Sequence, residues 1–254
     1  MKPNNKPERC PTGIAGLDDI LGGGFIRGRT ILVSGVCGTG KSIFGMQFLL
    51  NGILEHEEPG VYVTLEQNPV HLREDMASIG FDVEELERQG MLVIIDASMS
   101  HRGDSPTFNT REAIPHSSFS LLPEEFNLLN VVDIIGKVAD KVRAKRVVVD
   151  SLSALDNMLS EKIDVRKATL DLNYKLQDTG LTSILISDII NEQVLSRHGV
   201  AEYISDGAIT LHYRASGPDA GRFLLVNKMR ATSHKEGIHP IRFKEGMGIE
   251  VLEA

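Results

Sequence analysis

The chain has 254 residues, of which 41% are hydrophobic and 24% charged, and its formal net charge is −8. These values are typical of a soluble globular α/β protein with a sizeable core, and the acidic balance argues against broad, nonspecific binding to nucleic acid. No run of about 18 apolar residues and no apolar leader occurs, so we expect neither a membrane span nor a signal peptide.

Apolar runs and helical periodicities predict strands and helices in turn along the chain. Residues 1–10 are polar and are expected to form a mobile arm, and a short helix within 11–21 should end at the glycines that follow. The predicted strands cover residues 29–34, 60–65, 91–96, 146–150, 183–187, 207–213 and 221–226. The predicted helices cover residues 43–50, 69–79, 128–143 and 165–179.

The order of these elements predicts the fold class. Strands alternate with helices and a late hairpin follows, which indicates an α/β fold with a mainly parallel sheet, flanking helices and an antiparallel C-terminal edge. We expect residues 11–254 to form one domain, with a mobile surface insert over 98–127 where the periodicity breaks. In the helix over 69–79, the spacing assigns four residues to the core: Val70, Leu72, Met76 and Ile79.

The most informative motif is a glycine-rich loop, Gly35 to Ser42, which fits the phosphate-binding pattern G-x-x-x-x-G-K-[ST] without a mismatch. It lies between a predicted strand and a predicted helix, and this agreement disfavours a glycine-rich turn that matches by chance. We expect Lys41 to reach the β- and γ-phosphates and Ser42 to ligate Mg²⁺. The predicted nucleotide-binding residues here are Gly38, Thr39, Gly40, Lys41, Ser42 and Ile43.

Cysteine usage gives an expectation about the compartment. The chain has two cysteines, Cys10 and Cys37, and the second lies inside the phosphate loop, where a structural disulfide is poorly placed. A reducing, cytoplasmic compartment is therefore expected. A redox-sensitive Cys37 stays open as an alternative to a small residue that fits the loop.

Charged residues after other strands could complete such a site. Asp150 ends a β-branched strand and is predicted to hold Mg²⁺ through a water, although an acid that caps the next segment would look the same. Glu66 ends the strand over 60–65 and could accept a proton from an attacking water, or lie on the solvated surface. Lys228 and Arg230 alternate in a strand-like register that could clamp phosphate, but a basic exposed face is the better reading of spacing alone.

Several segments together resemble the KaiC family of RecA-like ATPases. These segments are Thr12–Asp18, the glycines at 22–24, Gly35–Ser42, Glu58–Glu66, Arg146–Ser151, Tyr203–Asp206 and Lys228–His234. The resemblance runs from Pro11 to nearly the last residue. It implies a RecA-like P-loop core that binds ATP with Mg²⁺.

The resemblance also implies an assembly that the residues alone do not indicate. Copies of the chain would form a homohexameric ring with ATP between neighbouring subunits. Lys228 and Arg230 match residues that reach into the neighbour's site and contact the γ-phosphate, and Thr232 and His234 match the same segment. Ser78 matches a serine that contacts the nucleotide.

Two departures from the family pattern bear on activity. Glu66 matches the first of two adjacent catalytic glutamates, but the second is Gln67, which can orient water without accepting its proton. Turnover should then be slow or depend on Glu66 alone. The clock members phosphorylate an adjacent Ser and Thr, where this chain has Glu202 and Tyr203, so neither autophosphorylation there nor a clock role is expected.

We therefore predict a slow ATPase that acts as a conformational switch or timer for a client of unknown identity, with Glu66, Lys41, Lys228 and Arg230 as the catalytic set. A nucleotide-gated scaffold or signalling subunit with little turnover, as in archaeal motility machinery, is the alternative. A recombination-type DNA-dependent ATPase is less favoured, because residues 188–199 hold one arginine and two acids. A GTPase is weaker still, since no Asn-Lys-x-Asp guanine reader is evident.

Overall fold

The computed structural model describes residues 7–98, 119–120, 128–155, 162–189, 194–217 and 220–252. The strands, in chain order, are β1 (Arg9–Cys10), β2 (Phe25–Ile26), β3 (Thr30–Gly35), β4 (Gly60–Thr64), β5 (Leu92–Asp96), β6 (Phe119–Ser120), β7 (Arg146–Asp150), β8 (Thr182–Asp188), β9 (Gly207–Arg214), β10 (Gly221–Met229), β11 (His239–Lys244) and β12 (Gly248–Val251). The helices are α1 (Leu17–Leu21), α2 (Lys41–His56), α3 (Pro69–Ser78), α4 (Val83–Arg88), α5 (Leu128–Val142), α6 (Lys162–Asp178) and α7 (Ala201–Ile204).

Within the described residues, one large sheet has the strand order β12-β11-β10-β9-β3-β8-β7-β4-β5-β6. The seven strands from β9 to β6 in that order pair in parallel, and β9 to β12 pair antiparallel. The predicted fold class is therefore confirmed, including the antiparallel C-terminal edge. No helix in the described ranges is long and apolar enough to cross a membrane.

Helices cover both faces of the sheet because its central strands are apolar on both sides. Alternate residues of β3 point to opposite faces: Ile31 and Val33 belong to the apolar cluster that includes α2, whereas Leu32 belongs to the cluster that includes α5 and α6. All three side chains are at most 1% exposed. The sheet is therefore the middle layer of three, and its strand ends, rather than its faces, are open to ligands.

Helix α2 packs closely on the sheet, which fixes the position of the phosphate loop before it. Two glycines face the sheet, where a Cβ at Gly45 would lie 2.8 Å from Val148 Cγ1 and a Cβ at Gly52 would lie 2.3 Å from Arg146 Nε. Larger residues at these positions would push the helix outwards. The buried face of α2 also contains Phe44, Phe48 and Leu49.

The prediction of a mobile arm over residues 1–10 is wrong at its C-terminal end, where Arg9 and Cys10 form a strand. Residues 1–6 lie outside the described part of the chain, but β1 pairs with β2 through Arg9 and Cys10. The Arg9 guanidinium donates to the Gly24 carbonyl over 3.1 Å and to Thr232 Oγ1 over 2.8 Å, and Cys10 is fully buried. Backbone pairing and these contacts hold a segment whose polar sequence gives no sign of order.

Two other predictions need correction. Val70 is 55% exposed, whereas Leu72 and Met76 are buried, because residues two apart lie on opposite sides of a helix. The insert predicted over 98–127 includes β6, which pairs in parallel with β5; residues 99–118 and 121–127 lie outside the described ranges. Helix α4, which is short and acidic, was not predicted.

Candidate functional site

The predicted phosphate loop lies where β3 ends and α2 begins. Gly38 and Gly40 have φ values of +78° and +99°, a conformation that residues with side chains rarely adopt. A Cβ at Gly35 would lie 2.5 Å from the Leu211 carbonyl oxygen, so only glycine fits there. The buried Thr39 hydroxyl donates to the Val36 carbonyl over 2.9 Å and closes the loop. This backbone shape suits consecutive N–H groups that converge on an anion.

Lys41 lies at the start of α2 and pairs with an acid at the end of another strand. Its ammonium donates to the Val36 carbonyl over 3.0 Å and lies 3.0 Å from Asp188 Oδ1. Asp188 is the last residue of β8, which pairs with β3 so that Gly35 and Asp188 are neighbours. A phosphate bound in the loop would therefore compete with Asp188 for the Lys41 charge.

Asp150 ends β7 beside the phosphate loop. The Tyr62 hydroxyl donates to Asp150 Oδ2 over 2.5 Å, and the Ser42 hydroxyl lies close enough to the Asp150 carboxylate to lower its pKa. Burial raises the pKa of Asp150, against the hydrogen bonds from Ser42 and Tyr62 and the charge of Lys41. A hydroxyl and a carboxylate are hard oxygen donors, so Ser42 and Asp150 fit a Mg²⁺ ion.

Glu66 follows β4 and lies open to solvent at the same end of the sheet. Partial desolvation by the surrounding protein raises the pKa of Glu66, and Asp188 and Asp150 act in the same direction, against a hydrogen bond from Ser151 and the charge of Lys41. Three carboxylates thus lie near the Lys41 ammonium, with Asp188 in direct contact. A glutamate with a raised pKa is better matched to accepting a proton near neutral pH than an ordinary surface glutamate.

Gln67 is held against α3. Its side-chain amide donates to Asp75 Oδ2 over 2.7 Å, and its backbone N–H donates to Thr64 Oγ1 over 3.1 Å. Ser78, at the end of the same helix, is exposed, and its hydroxyl donates to the Asp75 carbonyl over 2.6 Å. Ile43 is partly buried and packs against the apolar core on the α2 side.

Lys228 and Arg230 lie far from the phosphate loop of their own chain. The Lys228 ammonium donates to the Glu202 carbonyl over 2.6 Å, and the Arg230 guanidinium donates to the Tyr203 carbonyl over 3.3 Å. Both side chains thus contact α7. The predicted strand alternation of Lys228 and Arg230 does not hold, because β10 has a bulge at Val226/Lys228 and ends at Met229. Burial lowers the pKa of Lys228, and the nearby Arg230 charge lowers it further.

The remaining predicted residues follow Arg230 in the chain. Thr232 accepts the hydrogen bond from Arg9, and the buried Nδ1 of His234 has no hydrogen-bond partner within the described ranges. The structure therefore brings Lys41, Ser42, Asp150 and Glu66 together, and it gathers Lys228, Arg230 and Thr232 at a separate surface.

Two residues of the site were not identified from the sequence. Asp188 ends a buried strand as Asp150 does, so the same rule that selected Asp150 could have found it. Tyr62 lies inside a buried strand and carries no local signal, because a core tyrosine and a site tyrosine look alike in sequence.

Comparisons with known proteins point to one family. The family model described as "ATPase: KaiC" matches residues 10–254. A UPF0273 protein from Aeropyrum pernix is 39% identical over 239 residues, covering 94% of this chain and 91% of that protein. A circadian clock oscillator protein KaiC from Prochlorococcus marinus is 33% identical, but the match covers 97% of this chain and only 46% of that protein. The chain thus spans about half the length of the KaiC clock proteins that it matches.

A solved structure agrees with these sequence matches. The crystal structure of a KaiC-like protein from the hyperthermophilic archaeon Pyrococcus horikoshii superposes with a TM-score of 0.81 at 34% identity. The match covers 97% of this chain and the whole of the other. The likeness therefore extends over the entire fold and is not confined to the phosphate loop.

Proposed function

This chain belongs to the KaiC ATPase family, and we propose that it binds ATP with Mg²⁺ and hydrolyses it slowly at sites shared between copies of itself. In this proposal the copies form a ring, six by family resemblance, and the nucleotide cycle acts as a conformational switch. We also propose a cytoplasmic location, which the free thiols of Cys10 and Cys37 support.

One observation carries the shared-site proposal: along the strand direction, Lys228 lies several residues away from the strand end that carries the phosphate loop. Lys228 pairs with Ala208, and Ala208 pairs with Leu32 of β3. At about 3.3 Å per residue, Leu32 is roughly 10 Å short of Gly35 along the strand, and Lys228 is a further two strands to the side. The Lys228 ammonium, held at α7, is therefore well outside the reach of its own loop, whereas a second copy could bring it there.

The residues around the loop support distinct roles in hydrolysis. Lys41 would bind the β- and γ-phosphates, and Ser42 would hold Mg²⁺ with Asp150 behind it. The bound ion would neutralise charge that develops on the phosphate oxygens. Glu66 would accept the proton of the attacking water, and the neighbour's Lys228 and Arg230 would stabilise the transferred phosphoryl group.

A mixing experiment tests whether the sites are shared. Lys41→Ala and Arg230→Ala should each abolish most phosphate release. An equal mixture of the two variants should recover up to about a quarter of the wild-type phosphate release. In randomly mixed rings, about a quarter of the interfaces would pair an intact loop with an intact Arg230 from the next copy. A chain that carries both substitutions, assayed in the same way, is the control and should stay inactive. If the mixture stays as inactive as the separate variants, each site is contained in one chain.

Sizing the wild-type chain with and without ATP·Mg²⁺, while phosphate release is assayed, tests assembly and turnover together. Ring formation that depends on nucleotide, with slow release, is expected. A chain that stays monomeric at all nucleotide concentrations would exclude the ring.

A nucleotide-gated scaffold is the second candidate, and the position of Gln67 favours it. Residue 67 carries an amide and not a carboxylate, and the bond from Gln67 to Asp75 holds this amide against α3. Glu66 would therefore activate water without a second carboxylate. Saturating ATP binding without phosphate release above background would support this function over the switch that hydrolyses ATP. A DNA-dependent role draws no support from charge, and residues 190–193 of the relevant segment lie outside the described ranges.

A further inference from the structure

One hydroxyl beside the phosphate loop has no part in the roles given above. Tyr62 is in β4, fully buried, and its hydroxyl donates to Asp150 Oδ2 over 2.5 Å. The Ser42 hydroxyl lies beside the same phenol and the same carboxylate. Tyr62 thus donates to one of the two proposed Mg²⁺ residues, Asp150, and lies beside the other, Ser42.

The strand register explains how the phenol reaches this point. Tyr62 pairs with Val148 across β4 and β7, and Thr64 pairs with Asp150, so the tyrosine lies two residues before the open end of the sheet. Its ring fills the core on the α2 side while its hydroxyl extends to the strand end. A phenylalanine would fill the same core space, so packing alone does not require the hydroxyl.

The Asp150 carboxylate needs a fixed orientation to be useful. The terminal torsion of an aspartate is broad, so a carboxylate without a fixed donor can rotate. A buried tyrosine on a central strand is a rigid donor, since its ring is packed on all sides and its oxygen position is set by the backbone. A short hydrogen bond to one oxygen leaves the other oxygen of Asp150 for a water of the metal ion.

We propose that Tyr62 is a positioning residue for Mg²⁺, which orients the Asp150 carboxylate behind Ser42. This inference rests on the proposed function and names a residue that controls its metal step. Tyr62 does not contact the nucleotide in this proposal. Its effect should therefore appear in the dependence of nucleotide binding on Mg²⁺ and not in binding without the ion.

The test is Tyr62→Phe in the full-length chain, with a non-hydrolysable ATP analogue titrated by calorimetry in EDTA and at increasing Mg²⁺. Loss of an outer-shell partner typically weakens metal affinity about 10- to 100-fold, so the half-saturating Mg²⁺ concentration should rise at least about 10-fold. The affinity in EDTA should stay within about twofold of wild type, because the phosphate loop is intact. Tyr174→Phe, at an exposed position of α6, makes the same chemical change away from the site and should alter neither value.

A double-mutant cycle distinguishes positioning from a general effect on folding. Asp150→Asn should itself weaken the Mg²⁺ response, and adding Tyr62→Phe to it should have little further effect if the hydroxyl acts through Asp150. Thermal unfolding of each variant identifies any that fail to fold. An unchanged Mg²⁺ dependence in folded Tyr62→Phe, or fully additive effects in the cycle, would overturn the inference. Wild-type protein that binds no analogue under either condition would instead overturn the proposed function, and this inference with it.

Discussion

Two clusters of charged residues lie at opposite ends of the same strands, and they differ in how their charges are balanced. At the start of β7, the buried Arg146 donates to Glu58 Oε2 over 2.7 Å and to the Phe48 carbonyl over 2.9 Å. Arg27 pairs with the other Glu58 oxygen at 2.5 Å. At the far end of β7 and β4, Asp150 and Glu66 both lie near the Lys41 ammonium.

The pKa shifts of the two clusters run in opposite directions for a physical reason. Burial acts to raise the pKa of Glu58, but hydrogen bonds from Arg27 and Arg146 outweigh it and lower the pKa. Burial raises the pKa values of Asp150 and Glu66, and the positive charge nearby does not offset it. In the first cluster two arginines balance the charge of Glu58, whereas in the second the described residues leave the carboxylates with less positive charge nearby.

The largest expected effect is on turnover at the acidic end. Glu66→Gln removes the proposed general base, so phosphate release should fall about 10²- to 10⁴-fold while ATP affinity stays close to wild type. Stopped-flow phosphate release and calorimetry measure the two values. Glu74→Gln, on the solvated side of α3, is the matched control and should leave turnover unchanged. Full turnover in Glu66→Gln would remove Glu66 from the mechanism.

The next effect is on stability at the paired end. Arg146→Ala removes a fully buried partner of Glu58, so the free energy of unfolding should fall by about 3–5 kcal/mol. Denaturant unfolding measures the change. Arg88→Ala breaks an exposed pair with Glu85 in α4 and should cost at most about 1 kcal/mol. Similar losses in both variants would mean that burial of the Arg146 pair does not matter.

The pH dependence of stability should also differ between the two ends. Because the folded pKa of Glu58 is lowered, its contribution is present above the ordinary value of 4.5 and is lost as pH falls through the folded pKa. Wild-type stability should therefore decline in this acid range more steeply than that of Glu58→Gln. Urea unfolding from pH 6 downwards, at roughly half-unit steps, compares the slopes. Parallel slopes would show that Glu58 titrates alike in folded and unfolded chains.

The smallest effect concerns the ion pair between Lys41 and Asp188. Asp188→Asn frees Lys41 before phosphate arrives, so ATP should bind about 2- to 5-fold more tightly, as expected for a partly exposed pair. Calorimetry measures the change, and Asp178→Asn at the end of α6 serves as the control. Weaker binding in Asp188→Asn would mean that this carboxylate helps to hold the nucleotide or its ion.

The sequence predicted those parts of the molecule that depend on local pattern. Strand β7 matches its predicted bounds, because a β-branched run between turns has few other conformations. The glycine-rich loop could be identified because its glycines adopt positive φ angles that other residues rarely adopt. The mainly parallel sheet and its antiparallel C-terminal edge followed from the alternation of elements.

Other parts depend on contacts between distant segments and could not be predicted. Order at Arg9 and Cys10 comes from pairing with β2, and the role of Tyr62 comes from the register of neighbouring strands. The separation of Lys228 from the loop follows from the sheet order, which brings β9 and β10 to one edge. For the site as a whole, the sequence indicated Lys41, Ser42, Asp150 and Glu66, which the structure brings together, but not Tyr62.

The close packing of Gly52 against Arg146 has a consequence for substitution within α2. On intrinsic helix propensity alone, alanine would be favoured over glycine by about 1 kcal/mol in the middle of such a helix. Here the added methyl would collide with the Arg146 guanidinium. This group is held in place by Glu58, by the Phe48 carbonyl and by the Phe48 ring. The residue that best suits the helix is thus excluded by the sheet, so a single buried arginine restricts position 52 to glycine.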